Sequence, residues 1–268
     1  MTERVYKSSR GEVHYMISEP LDSNKRTLVF LHGLTADHTL FDKQTAYFAD
    51  AYNIIAWDAP AHGLSRPYSD FTYGNAAEDL MGILDEHNLS SVYLIGQSMG
   101  GYISQSFMLR YHDMADGFVG IDTCPYGEGY YSRSDKWWLR QIEWMSMLYP
   151  LGFLKKSIAK QNAVTEYGRA NMLKALEPYG KKELCHLMGI GFAGFLSENR
   201  DIIIRCPVLL LAGEHDRTGK VLSYCRAWEK KTGFTLKIIS NAAHNSNADN
   251  PDEVNREIES FLSKSNGE

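Results

Sequence analysis

Short runs of apolar and β-branched residues alternate along the chain with longer helix-like stretches. The short runs predict strands at 13–17, 27–31, 53–57, 91–95, 117–121, 208–211 and 235–239. Several are apolar throughout, as in strands covered on both faces of a mostly parallel sheet. The longer stretches predict helices at about 43–51, 75–88, 99–112, 219–231 and 251–263. The last carries Pro251 near its first turn, where a missing N–H costs nothing, after Asp249 and Asn250 as candidate caps. Strand and helix in alternation predict an α/β fold, a doubly wound, mostly parallel sheet. No internal repeat or low-complexity tract interrupts the pattern.

One stretch breaks the alternation. From Tyr126 to Phe195 there is no good strand, and the segment holds 12 of the 32 aromatic residues. Its charge inverts as well. Ten basic residues stand against six acidic ones here, whereas the whole chain carries −5. The expected organisation is a core of residues 1–125 and 196–268 with a helical cap, 126–195, laid over the sheet.

Composition narrows the class. The chain has 268 residues, 44% apolar and 23% charged, a balance that suits a soluble globular protein able to bury a core without disulfides or metal. Net negative charge argues against general nucleic-acid binding, which needs a basic face. No apolar run approaches membrane-span length, and Met1 to Lys7 lacks the apolar core of a secretory signal. Cys124, Cys185, Cys206 and Cys225 are spaced for neither a zinc site nor a disulfide framework. Free thiols in a reducing compartment, the cytoplasm by default, are expected.

The sharpest chemical signal is Gly96-Gln97-Ser98-Met99-Gly100-Gly101. A Gly-x-Ser-x-Gly pattern alone is common. Between a predicted strand and a predicted helix it gains force, because a sharp turn there lifts the serine hydroxyl clear. The helix start behind it aims free N–H groups at developing negative charge. A serine hydroxyl needs a base to take its proton, and the base needs an orienting acid. Asp216 lies just beyond the strand 208–211, and His244 lies between the last strand and the final helix. Both therefore sit at carboxyl ends of parallel strands, where this architecture gathers its ligands. The histidines show no metal spacing and no dinucleotide fingerprint follows the first strands, so neither metal nor cofactor is expected.

Three further segments carry a resemblance. Leu31-His32-Gly33-Leu34 follows an early strand, Asp58-Ala59-Pro60-Ala61-His62-Gly63-Leu64-Ser65 follows the next, and His244 runs through Pro251 into an amphipathic helix. With the serine turn and Asp216, in this order, the whole chain resembles the α/β-hydrolase superfamily, in its capped esterase-like branch. The resemblance implies a catalytic triad of Ser98 as nucleophile, His244 as base and Asp216 as orienting acid. It also implies an oxyanion hole made by the backbone N–H groups of Leu34 and Met99. Asp122, at the end of 117–121, is a rival for the acid, since some members of the superfamily recruit it there. His32, His62 and Asp58 read as structural, shaping their turns.

A serine nucleophile implies cleavage of a carboxylic ester or thioester, and the aromatic residues of the 126–195 segment suggest a small apolar or aromatic acyl substrate. Carbon–carbon bond hydrolysis by the same triad and slow-turnover ligand reception on the same fold remain alternatives. Tyr126, Trp137, Trp138, Trp144 and Phe192 are the candidate substrate-binding residues of the cap, and activity is expected to fall as His244 protonates near ~6.5. The partner implied is a small-molecule substrate; the sequence leaves the oligomeric state open.

Overall fold

The computed structural model describes residues 1–265. Its strands are β1 (Thr2–Ser8), β2 (Gly11–Ile17), β3 (Thr27–Leu31), β4 (Asn53–Trp57), β5 (Val92–Gln97), β6 (Ala115–Ile121), β7 (Val208–Gly213) and β8 (Thr235–Ile239). They make one sheet in the order β1-β2-β4-β3-β5-β6-β7-β8. β1 and β2 join antiparallel at one edge, and every pair from β4 to β8 is parallel.

The apolar runs are buried because side chains in a strand point alternately to opposite faces. In β3, Val29 and Leu31 enter one core while Leu28 and Phe30 enter the other. The first core is closed by α2 (Tyr73–Glu86), α3 (Met99–Arg110) and α9 (Val221–Thr232), through residues such as Leu80, Phe107 and Trp228. The second is closed by α1 (Asp42–Phe48) and α11 (Pro251–Ser265), through Phe48, Val254, Ile258 and Leu262. Burying each such side chain stabilises the fold by about 1.5–3 kcal/mol. The sheet is therefore doubly wound, as the alternation predicts.

Two elements differ from expectation. β1 carries Glu3, Arg4 and Lys7 and buries none of its residues fully, so it lacks the apolar signal; register with β2 from Thr2↔Ile17 to Ser8↔Gly11 makes it a strand. Between the turn after β8 and α11 lies the short α10 (Ser246–Asp249). Asn250 Oδ1 accepts from Glu253 N–H and so caps α11, while Asp249 turns away to other donors.

Between β6 and β7 the chain makes only helices: α4 (Arg133–Leu139), α5 (Ile142–Met147), α6 (Leu151–Asn162), α7 (Glu166–Leu176) and α8 (Lys181–Ala193). Leu154, Met172, Leu176, Leu184 and Leu187 form a separate small core among them, against which Leu34 and Ala61 of the sheet's loops pack. Asp249 pins this insertion to the carboxyl end of the sheet by accepting from Val164 N–H, Thr165 N–H and Ala243 N–H, all at 2.9 Å. All four cysteines are free, three of them buried. Among the described residues no helix is long and apolar enough to cross a membrane.

Candidate active site

β5 ends at Gln97 and α3 starts at Met99, so Ser98 alone makes the turn between them. Its backbone lies at φ 49°, ψ −111°, a region that L-residues avoid on steric grounds. The surroundings hold it there. Ser98 N–H donates to Ile121 O at 2.8 Å, and Ser98 O accepts from Thr123 Oγ1 at 2.7 Å and Gly101 N–H at 3.0 Å. A Cβ at Gly96 would stand 2.5 Å from Gly100 O, and one at Gly100 would run into Leu31 O, so only glycine lets strand and helix close on each other here.

The other two residues arrive from neighbouring strands. Asp216 follows β7 in a turn closed by its own N–H to Gly213 O at 3.1 Å. His244 follows β8, and its side chain, like that of Asp216, is almost wholly buried. His244 Nδ1–H donates to Asp216 Oδ2 at 2.8 Å, and Nε2 accepts from Ser98 Oγ–H at 2.8 Å. Asp216 Oδ1 accepts from Thr218 N–H at 2.7 Å, which fixes the carboxylate's plane. Burial alone would depress the His244 imidazole. The adjacent Asp216 carboxylate outweighs it, through charge and hydrogen bond, and raises its pKa above the usual value.

Asp122 makes no bond to the ring. Its Oδ1 accepts from Gly213 N–H at 2.7 Å and its Oδ2 from Ser246 N–H at 3.0 Å. It thus ties the end of β6 to the turn bearing Asp216 and to the turn bearing His244. Burial, and then the Asp216 charge, push its carboxyl up to about 7. Gln97 acts beside it: Nε2 donates to His244 O at 2.8 Å from a fully buried position. Sequence reasoning assigned Gln97 nothing, although its place next to Ser98 was the signal.

Leu34 lies in the turn after β3, and Met99 opens α3. Among the described residues neither backbone N–H has a protein acceptor, so both remain free to donate. The turn is shaped by His32, whose Nδ1–H donates to Gly33 O at 2.7 Å and whose Nε2 accepts from Ala59 N–H at 2.9 Å. Asp58 accepts from His38 N–H and Leu64 N–H, and His62 Nδ1–H donates to Pro60 O at 2.9 Å. Burial holds His62 down at about 3, so it stays neutral. These three shape turns, as the sequence suggests.

Ser98 and His244 open into a cavity of about 90 Å³. Leu34, Ile158, Met172, Met188 and Phe192 line its apolar side; Gln161, Asn162, Thr218 and Asn245 supply uncharged polar groups. Of the five aromatic residues expected to bind substrate, only Phe192 reaches it. Tyr126 is buried beneath the insertion, stacked on Tyr102 and Phe195. Trp137, Trp138 and Trp144 are each more than half exposed on the outer surface. The insertion meets the cavity instead with α6, α7 and α8, whose aliphatic and thioether side chains carry no distinctive sequence signal.

Comparison with known proteins agrees with this architecture. The model of a family described as the alpha/beta hydrolase family matches residues 28–257. A putative esterase/lipase of Haemophilus influenzae is 24% identical over 250 residues, 90% of this chain and 84% of that protein. The 3-oxoadipate enol-lactonase 2 of Acinetobacter baylyi is 24% identical, with 91% of each chain covered. Among solved structures, a thermophilic esterase from Thermogutta terrifontis superimposes with a TM-score of 0.78 at 19% identity, covering 99% of both chains, a likeness of fold alone.

Proposed function

The chain belongs to the α/β-hydrolase family, and from that premise we propose that it is a serine hydrolase cleaving small, uncharged carboxylic esters or thioesters through an acyl-enzyme. The observation that carries this reading is the unbroken hydrogen-bonded series from Ser98 Oγ through His244 to Asp216, each link 2.8 Å. Ser98 attacks the carbonyl carbon as His244 Nε2 takes its proton. The oxyanion is received by the N–H groups of Leu34 and Met99, donors whose individual loss in such sites costs about 2.7–4 kcal/mol. His244 then protonates the leaving group, and a water activated by the same nitrogen releases the acid. Residues 126–195 act as a cap that closes the site.

The cavity's size and lining support a short acyl group. Among the described residues no charged side chain lines it, so a charged acyl group would lose its hydration without gaining a partner. Turnover of a series of 4-nitrophenyl esters tests this. The acetyl to butyryl esters should be hydrolysed at no less than the order of 1 s⁻¹, with kcat/KM falling for octanoyl and benzoyl esters. Binding without product release from any of them contradicts the reading.

The pH profile offers a second check. His244 acts only when neutral, and its pKa stands above the ordinary value. Activity is therefore lost as pH falls through that raised value, and the acid limb of kcat/KM should bend above ~6.5 rather than at it. A limb bending well below 6.5, or a flat profile from about pH 5 to 8, contradicts the assignment.

A further inference from the structure

α4 and α5 are joined through Arg140 and Gln141, both with right-handed helical backbone, so helical spacing carries across the joint. Trp137, Trp144 and Leu148, seven and then four residues apart, fall on one face. That face is the outer one. Leu139, Ile142 and Met145 on the other side are half-buried, and Ser146 is buried. The outer face thus carries large apolar side chains where a surface helix ordinarily turns its polar side to water, and an exposed apolar patch of this kind marks an interaction surface.

The exposure is large and local. Trp137, Trp138, Trp144, Leu148, Tyr149 and Phe153 are 53, 54, 54, 70, 48 and 57% exposed. The rings are ordered among themselves: Trp137 meets Trp138 edge-on at 4.7 Å and Tyr149 stacks on Phe153 at 5.7 Å. Charge is equally local. Residues 136–160 contain five basic side chains and one acid, Glu143, which is paired to His186 at 3.1 Å. The rest of the chain is strongly acidic.

We propose that this face docks on an anionic lipid surface, the aromatic rings entering the headgroup region and Lys136, Arg140, Lys155, Lys156 and Lys160 meeting lipid phosphates. Tryptophan and tyrosine favour that boundary because one part of the ring system is apolar and the other hydrogen-bonds, and flanking lysines extend their charge to the headgroups. Charge complementarity selects this occupant over a second copy of the chain. A two-fold contact through the same face would bring two clusters of five cations together, whereas an anionic bilayer neutralises them. α6 begins at Phe153's end of the patch and reaches the cavity with Ile158, Gln161 and Asn162, so docking sets the cavity-lining helix beside the bilayer.

Flotation with vesicles of phosphatidylglycerol and phosphatidylcholine in equal parts, against phosphatidylcholine alone, tests this on the full chain. Expected is binding to the anionic vesicles only, with a blue shift of tryptophan emission. It should weaken as salt rises from about 0.1 to about 1 M and the screening length shrinks from about 10 to about 3 Å. Leu148→Ser with Phe153→Ser, and separately Lys156→Glu with Lys160→Glu, should each lower partitioning at least about tenfold, since each lysine near such a surface contributes a factor of about five. Both pairs should keep wild-type melting and hydrolysis of soluble esters. Equal binding to both vesicles, no binding to either, or partitioning indifferent to both pairs overturns the proposal. So does self-association of the free protein that Leu148→Ser with Phe153→Ser abolishes, which would assign the face to a second copy.

Discussion

Ser98→Ala is expected to lower kcat by about 10⁵-fold or more while leaving KM within a few-fold, because the hydroxyl forms a bond only in the transition state and the intermediates that follow. His244→Ala should cost a similar factor, since without it the hydroxyl at 2.8 Å keeps its proton. The double substitution should be hardly worse than either single one, as groups acting in one step are not additive. Residual activity would come from binding and from the Leu34 and Met99 N–H groups. Steady-state kinetics on the best 4-nitrophenyl ester measures all three, with melting curves to confirm folding. Ser98 lies at an unfavourable φ of 49°, and serine and alanine both bear a Cβ, so the exchange leaves that strain in place. A loss of less than about tenfold would remove Ser98 from the chemistry.

The second large effect separates the two carboxylates. Asp216→Asn should lower kcat by about 10⁴-fold, because an amide can present an N–H to Nδ1 and so hold the ring in the wrong tautomer, while the imidazolium loses its counter-charge. Asp122→Asn should act differently. It replaces one of two oxygens that accept from Gly213 N–H and Ser246 N–H, leaving a buried donor facing a donor. That destabilises the fold by about 1–3 kcal/mol, read as a lower Tm, with kcat falling only about tenfold as the turns loosen. The acid limb should also move down, since the Asp122 carboxylate adds to the charge that raises His244. The reverse ranking, Asp122→Asn abolishing turnover and Asp216→Asn tolerated, would transfer the acid's role to Asp122.

Much of this arrangement is legible in the chain because it depends on local constraints. The serine turn requires glycine at 96 and 100 for reasons of contact, and buried parallel strands require apolar runs, so both leave marks in the sequence. Asp216 and His244 are readable because a strand's end announces itself. What is not legible rests on long-range packing. β1 exists through register with β2 rather than apolar content. Trp137, Trp138 and Trp144 look like the walls of a binding site by residue type, yet the helices that carry them turn these rings outward while Ile158, Met172 and Met188 turn in. Nothing local distinguishes the two orientations, because α4 and α5 carry apolar side chains on both faces. Asp122 has the same character: its position after an apolar strand marks it as notable, but its bonds to Gly213 N–H and Ser246 N–H join residues 91 and 124 positions away and leave no local mark.

The central claim, an activated Ser98, is tested most directly with a fluorophosphonate, which reacts with activated serines regardless of natural substrate. Intact-mass measurement and peptide mapping should find one adduct, on Ser98, forming on folded protein and slowed at least about a hundredfold in His244→Ala. Labelling at another residue, labelling indifferent to His244→Ala, or no labelling of folded protein by a small fluorophosphonate would contradict it.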